Sequence, residues 1–317
     1  MKIHFVLLLL FIFNFCKMPI FNNPNDPIST DFLNTQLIEC NSKGSVICPP
    51  FRVKGKISGL TANNTLRLQF LWGAPSDEIV SNGQFDVLTR GGIYPNVYIS
   101  KQPNQLYCFV TNTGIQSGKD VIGVEISCPL FKTFVNQKLV GISRCAFGQE
   151  WNPSGVGDCT AFGSAGTQYN ISLYLNYCNI TPTKGCQNDI SGGELSPPPW
   201  IGAASSDIYN ACNQYNLNKR FQISNWRVPT KEELKQIVYC DVGPSAPLND
   251  FSGCNVGHSS PTVNSTIFTN LATSNILWSS TSYILDDIQA FALDLSSGQI
   301  YTPDQDSTNQ VLCVTDL

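Results

Sequence analysis

"NWRVPTKEELKQIVYC", residues 225–240, is the most helix-like stretch of a chain that otherwise consists of short apolar runs separated by Asn, Ser, Gly and Pro. Thr230 is followed three residues later by Glu233, the spacing of a capping box, and Pro229 precedes the cap without disturbing the helix interior. Apolar residues then recur at helical spacing: Leu234, Ile237 and Val238. The segment predicts a capped helix that buries this stripe.

The aromatic and charged residues of this segment have a ligand-binding and a structural interpretation. Trp226 and Arg227 stand directly before the capped helix. There Trp buries a large area and Arg can pair with a buried carboxylate through two hydrogen bonds. Asp287 and Asp294 are the candidate carboxylates. We predict a structural role for this motif and for Trp278 in "LWSST".

The flanking sequence predicts one more helix and a set of antiparallel strands. "SSDIYNACNQYNL", residues 205–217, places apolar side chains at i, i+3, i+4 and i+7, with Ser206 or Asp207 available as the cap. Downstream, "NILWSSTSY", "IQAFALDLSSGQIYTP" and "NQVLCV" alternate as strands do. Residues 129–317 are therefore expected to form an α+β domain.

Residues 48–128 have a different pattern. "FRVKGKIS" at 51–58 and "NTLRLQFLW" at 64–72 alternate apolar and polar residues, and further short strands follow at even spacing, as in a β-sandwich. The alternation places Arg52, Lys54 and Lys56 on one outward face. This row is either a docking ridge for sulfated glycans or, as the simpler interpretation, a solvated edge that prevents strand-to-strand aggregation.

The N-terminus has the layout of an export signal. "MKIHFVLLLLFIFNFC", residues 1–16, has one Lys and then an apolar run shorter than the about 20 residues of a membrane span. A Cys directly after such a run resembles the lipidated cysteine of bacterial lipoproteins, although Phe15 stands where those signals place a small residue. We expect a lipid on Cys16, with residues 17–47, rich in Pro and Asn, as a tether. An uncleaved anchor and a cleavage further downstream are the alternatives.

Composition supports an exported protein. Charged residues make up 13% of the 317 residues, and the net charge is −4, without the basic stripe that grips a phosphate backbone. We therefore expect no nucleic-acid partner. We expect the protein at the outer membrane or the cell surface, held to the membrane by its lipid.

Of the 13 cysteines, setting aside Cys16 leaves an even number, which in an oxidising compartment predicts six disulfides. These cysteines are Cys40, Cys48, Cys108, Cys128, Cys145, Cys159, Cys178, Cys186, Cys212, Cys240, Cys254 and Cys313. None lies in a CxxC pair, so a structural zinc site is not expected. The spacing alone leaves the pairing open.

The sequence offers little catalytic machinery. After the signal the chain has one His, His258, no thiol to spare if the bridges form, and no G-x-S-x-G elbow. His258 in "GHSSPT" is interpreted as a loop residue. We expect a protein that is not an enzyme and needs no cofactor.

Two resemblances carry further expectations. In residues 48–128, "SGL" at 58–60, "NGQF" at 82–85 and the pair Cys108 and Cys128 resemble an Ig-like repeat of bacterial surface proteins. This resemblance implies an all-β Ig-like sandwich that acts as a spacer.

In residues 129–317, four motifs occur in order: "NWRVPTKEEL" at 225–234, "LWSSTSY" at 277–283, "AFALDLSSGQI" at 290–300 and "VLCV" at 311–314. Together they resemble the Lcl C-terminal domain family, named for a bacterial collagen-like adhesin. The resemblance covers about 110 residues from Tyr209 onward and implies a C-type-lectin-like fold. The family often carries Arg beside the last Cys, where this chain has Leu312 and Thr315.

The resemblance implies that Cys212 pairs with Cys313. The simplest assignment for the others is local: Cys40–Cys48, Cys108–Cys128, Cys145–Cys159, Cys178–Cys186 and Cys240–Cys254.

A ligand site is expected on two displayed loops, whose acidic and aromatic side chains suit a sugar, directly or through calcium. The candidate residues are Tyr283, Asp286, Asp287, Tyr301, Asp304, Asp306 and Asn309. The sequence thus predicts a lipid-anchored surface protein that binds a glycan, a host-matrix component or an envelope partner. The alternative is a structural envelope component that associates with itself and has no soluble ligand.

Overall fold

The computed structural model describes residues 51–71, 74–89, 93–117, 120–153, 157–161, 173–177, 206–242, 248–271, 275–283, 285–286 and 289–317. The expected signal, lipidation site and tether lie outside these ranges, as do Asp287 and the cysteine pairs assigned as Cys40–Cys48 and Cys178–Cys186.

Up to residue 177, the residues that the structure describes form ten strands: β1 Arg52–Ser58, β2 Arg67–Leu71, β3 Gly83–Leu88, β4 Ile93–Lys101, β5 Leu106–Ser117, β6 Asp120–Val135, β7 Lys138–Ala146, β8 Glu150–Asn152, β9 Asp158–Ala161 and β10 Leu175–Asn176. The C-terminal part adds α1 Asp207–Leu217, a 3-10 turn Arg220–Gln222, α2 Lys231–Lys235, β11 Ile276–Ser282, β12 Ala290–Asp294, β13 Gln299–Tyr301, β14 Thr308–Asn309 and β15 Leu312–Asp316. With two α-helices and four disulfides among the described residues, this architecture fits the expected α+β, disulfide-rich class. Neither helix has the length and apolar composition needed to cross a membrane.

The long strand β6 joins the two halves of the chain, by which we mean residues 48–128 and residues 129–317. It lies in a sheet of order β15-β7-β6-β1-β3, in which β5 also pairs with β6. Its first part runs parallel to β1, and its last part pairs with β7 from Leu130 to Val135. The boundary expected at 128/129 therefore falls inside one strand, and the last strand of the chain, β15, closes the same sheet.

Strand β1 shows why the alternation in the sequence decides this sheet. Val53 and Ile57 are fully buried, and the outward residues Arg52 and Lys54 are exposed. Gly55 also points inward, where a Cβ would overlap the carbonyl of Val124 on β6. The close approach of the two strands thus requires a glycine at this position.

Helix α1 buries the predicted face, and Ser206 caps it by accepting from the backbone N–H of Tyr209. The buried residues are Ile208, Ala211, Cys212 and Tyr215. Helix α2 has both halves of the predicted capping box between Thr230 and Glu233.

Helix α2 is shorter than the apolar stripe suggests. Ile237 and Val238 are buried, but the helix ends at Lys235. Val238 pairs instead with Val263, and the N–H of Tyr239 donates to the carbonyl of Thr262. The chain is therefore extended where it enters the Cys240–Cys254 disulfide.

Four disulfides connect the described elements. Cys212 on α1 is joined to Cys313 on β15, across 101 residues of sequence. The other pairs are local: Cys108–Cys128, Cys145–Cys159 and Cys240–Cys254. All four coincide with the pairings assigned in the sequence analysis.

Arg144 on β7 is a fully buried cation that links the two halves. It is 1% exposed, and its guanidinium donates to the carbonyls of Gly59, Cys128, Thr266 and Ile267. It also lies 4.8 Å from the centre of the Trp151 ring. Burial lowers the pKa of Arg144 to about 9, so the group is charged at neutral pH, with carbonyl dipoles as its partners.

Candidate functional site

The Trp–Arg motif at 226–227 is built into the fold. Trp226 is 3% exposed; its backbone N–H donates to Asn216 and its indole N–H to the carbonyl of Arg220. Trp278 is fully buried and donates to the carbonyl of Leu175. Both tryptophans are therefore core residues rather than ligand platforms.

Arg227 pairs with a carboxylate, but not with those expected. Its guanidinium donates twice to Glu233, at 2.7 and 2.6 Å, and once to Asp316, at 2.9 Å. Burial lowers the pKa of Arg227, but hydrogen bonds and charge from Glu233 and Asp316 outweigh it and raise the pKa above its usual range. The prediction of Asp294 as partner is wrong, because Asp294 accepts from Ser296 and Ser297 in its own turn. Asp287 lies outside the described residues.

Glu233 serves the helix cap and the ion pair together, since it also accepts from the backbone N–H of Thr230 at 2.8 Å. We expect Glu233→Gln to lower the free energy of unfolding by about 1–3 kcal/mol, because a partly buried guanidinium loses its carboxylate. The matched control is Asp316→Asn, whose carboxylate is half exposed and is expected to cost less than about 1 kcal/mol. Urea unfolding of the oxidised proteins measures both. Equal midpoints for the two variants would contradict this role of Glu233.

The two predicted ligand loops lie side by side. The backbone N–H of Tyr283 donates to the carbonyl of Gln289, and Gln289 pairs with Asp304. Asp304 and Asp306 are exposed, and Asp286 is partly exposed. Among the described residues, no group of three His, Cys, Asp or Glu side chains is arranged to hold a metal ion.

The aromatic and amide members of this set face other parts of the protein. The Tyr283 ring packs edge-on against Phe291 and Phe251. Tyr301 is half-buried, and burial raises the pKa of its hydroxyl. Asn309 is 5% exposed and lies in β14, opposite Leu175.

The cationic row of β1 is largely neutralised by neighbours. Arg52 forms an ion pair with Asp86 at 2.8 Å, and Lys54 lies 3.5 Å from Asp120. Strand β1 lies between β6 and β3 in the sheet, so the edge position belongs to β3. The interpretation of the cationic row as an edge is therefore wrong.

His258 is a loop residue: its two ring nitrogens contact the carbonyls of Asn255 and Ser296.

A cleft of about 730 Å³ lies between the two halves of the chain. One wall consists of residues 61–64 and 104–105, from the loops before β2 and before β5. The other consists of Tyr239, Asp241 and residues 259–261 and 263–266, which follow helix α2. We call this the interdomain cleft.

Internal hydrogen bonds hold the first wall. Asn64 is 5% exposed; its amide donates to Thr61 and its oxygen accepts from the backbone N–H of Gln105. Asn63, Asn104 and Gln105 are exposed, and their side chains have no hydrogen-bond partner among the residues that the structure describes. The loop backbone is therefore fixed, and three carboxamides remain available to a ligand.

The second wall carries an exposed aromatic ring. Tyr239 is 56% exposed, and the adjacent Cys240–Cys254 disulfide and its own bond to Thr262 position its backbone. Asp241 accepts from the N–H and the hydroxyl of Ser259. These bonds lower the pKa of Asp241, chiefly through the Ser259 hydroxyl, so its carboxylate is ionised at neutral pH.

Arg144 joins the two walls. It binds the carbonyl of Gly59, two residues before the first wall, and the carbonyl of Thr266 in the second wall. This cleft is not predictable from local sequence patterns, because its two walls come from residues 61–105 and 239–266, which are distant in the chain. The sequence contains one indication of it: Arg144 lies in the mostly apolar stretch "GISRCAF" and has no carboxylate close to it in the chain.

A second cavity, of about 660 Å³, lies around the 3-10 turn and contains a cation. Arg220 lies 4.3 Å from the centre of the Tyr215 ring, and Glu150 and Trp151 also line this cavity. The two cavities therefore differ in their charged groups: this one is lined by an arginine and a carboxylate, Arg220 and Glu150, whereas Asp241 is the single charged side chain that lines the interdomain cleft among the described residues.

Comparison with known proteins gives one result for the C-terminal part. Residues 168–315 match the family model of the Lcl C-terminal domain. This match includes α1, α2 and β11 to β14, and it supports the family resemblance of this part of the chain. No curated protein and no solved structure matches the chain.

Proposed function

We propose that this protein is an exported bacterial surface protein, lipid-anchored at Cys16, that recognises a glycan without catalysis. The interdomain cleft carries the proposal, because it combines an exposed aromatic ring with amide and hydroxyl groups on a fixed frame. Sugar rings present hydroxyls that donate and accept hydrogen bonds, and a face of C–H groups that packs on an aromatic ring. Ligand sites are typically concave, with a few convergent polar groups of this kind.

Three observations support export and display. Residues 168–315 match the Lcl C-terminal domain, a family whose resemblance implies a bacterial surface protein. The first 16 residues have the layout of an export signal that ends in a Cys, and four disulfides cross-link the described chain. Disulfides of this density are typical of oxidising compartments. The N-terminal half is proposed as an Ig-like spacer and the C-terminal part as a C-type-lectin-like domain.

Recognition fits the described side chains better than catalysis does. The ring nitrogens of His258 are both held by backbone carbonyls, and the eight described cysteines are oxidised in pairs. Glu233 and Arg227 are engaged with each other. A general base or nucleophile has to be within reach of a substrate, and these groups serve the fold instead.

The proposal is tested by glycan-array binding of the purified complete chain, with and without a chelator. We expect binding to a defined group of glycans, and a loss of about tenfold or more in Tyr239→Ala. Tyr98→Ala removes an exposed ring on β4 outside the cleft and serves as the control. If a chelator abolishes glycan binding and Asp304→Ala weakens it, the binding site lies in the 283–309 loops and not in the interdomain cleft.

The rival function, a self-associating envelope component, predicts a different result. A chain that binds no glycan and instead forms concentration-dependent oligomers by light scattering would replace the recognition proposal. Mass spectrometry of the N-terminal peptide tests the anchor, since lipid on a residue other than Cys16, or no lipid, would overturn that part.

A further inference from the structure

The charge of the interdomain cleft restricts the ligands that it can hold. Of the side chains that line it, Asp241 is the single charged one among the residues that the structure describes. Lys132 lies beside the first wall, but its ammonium donates to the carbonyl of Pro103 at 2.6 Å and does not line the cleft. A ligand in the cleft therefore meets one negative charge and no lining cation.

An anionic group would be disfavoured in this position. Asp241 keeps its negative charge at neutral pH, because Ser259 donates to both of its carboxylate oxygens. A sulfate or carboxylate on the ligand would meet like charge and lose hydration, without a Lys or Arg to replace the lost water. Recognition of acidic glycans normally uses arginine or lysine for this purpose.

The polar groups of the cleft suit uncharged hydroxyls. The carboxamides of Asn63, Asn104 and Gln105 each offer a donor and an acceptor, and Ser265 adds a hydroxyl on the opposite wall. These side chains are exposed, so they can turn toward a ligand without breaking a bond within the described chain. Tyr239 adds a ring, 56% exposed, against which a sugar face can pack.

We infer that the interdomain cleft binds an uncharged saccharide, with Tyr239 as its platform and the wall carboxamides as its hydrogen-bonding groups. This inference rests on the proposed function, since it specifies the ligand class of the same site. It also separates the interdomain cleft from the cavity around Arg220, which is lined by a cation as well as by the Glu150 carboxylate.

Calorimetry on the complete chain tests the inference with matched pairs of oligosaccharides. Each pair shares one backbone, uncharged in one member and sulfated or carboxylated in the other. We expect the uncharged member to bind about tenfold or more tightly, with an affinity that changes less than about twofold between low and high salt. Asp241→Asn is expected to reduce the preference for the uncharged member, because the repulsive charge is removed.

Each result has a distinct meaning when the variants are compared. Loss of uncharged binding in Tyr239→Ala, with Tyr98→Ala unchanged, supports the inference. Tighter, salt-sensitive binding of the acidic members overturns it, and loss of that binding in Arg220→Gln would place the ligand in the other cavity. If neither class binds while the disulfides and the circular dichroism are intact, the proposed function itself fails.

Discussion

Replacing Arg144 with Met will lower the free energy of unfolding by about 3–5 kcal/mol, and the loss will come from the carbonyls that the arginine satisfies. Met matches the length of the aliphatic stem but donates no hydrogen bond. The carbonyls of Gly59, Cys128 and Ile267 would then be buried without their donor. Each buried, unsatisfied acceptor costs about 1–3 kcal/mol, and in this case the protein cannot rearrange to pair them with one another.

Urea unfolding measures this loss, with Arg52→Met as the matched control. Arg52 makes an exposed ion pair with Asp86, and its replacement is expected to cost less than about 1 kcal/mol. Arg144→Lys keeps the charge but has a single ammonium in place of the planar guanidinium with its several N–H donors. It should therefore recover only part of the lost free energy of unfolding. If Arg144→Met and Arg52→Met have the same midpoint, Arg144 does not hold the two halves together.

Removing the Cys212–Cys313 disulfide with a double Ser substitution is expected to cost about 4–5 kcal/mol, the largest effect of the four described bridges. The bridge spans 101 residues, whereas the Cys240–Cys254 bridge spans 14. In the chain-entropy model a longer closed loop restricts the unfolded state more, and the shorter loop contributes about 3 kcal/mol. Both cysteines of the long bridge are also buried in the core around Trp226 and Trp278.

The comparison uses Cys212→Ser/Cys313→Ser and Cys240→Ser/Cys254→Ser, unfolded in urea under the same oxidising conditions. The long bridge joins α1 to the edge strand of the main sheet, so its loss should also lower the cooperativity of unfolding. A smaller loss for the long bridge than for the short one would contradict the entropic account. It would show that native-state packing dominates.

Local features of this protein are well predicted from its sequence. The buried face of α1, the capping box at Thr230 and the alternation of β1 are each fixed by residues within a few positions of one another. In such elements, backbone sterics and one apolar face decide the outcome. The coarse class, mostly β with two α-helices in the described ranges and several disulfides, follows from the same local signals.

Long-range features were not predictable in the same way. Arg144 binds carbonyls at positions 59, 128, 266 and 267, and a carbonyl is the same chemical group at every position. The sequence therefore contains no signal for these partners. Arg227 also has several carboxylates to choose from in the sequence, and only the geometry of the cap selects Glu233.

The continuity of β6 has the same origin. Alternation predicts short strands up to position 128, but not a single strand of 16 residues that continues to Val135. The interdomain cleft follows from this continuity, since β6 and Arg144 bring two distant loops face to face. The complete chain is accordingly the unit to test, because separating residues 51–128 from the remainder would divide β6.

Hydrogen exchange of the complete chain, with and without the saccharide that binds best, tests the central claim most directly. The account predicts slower exchange on both walls of the interdomain cleft, in peptides that cover residues 59–66, 102–106, 237–242 and 258–268. Protection confined to residues 283–289 and 301–309, or to one wall of the cleft, would contradict it.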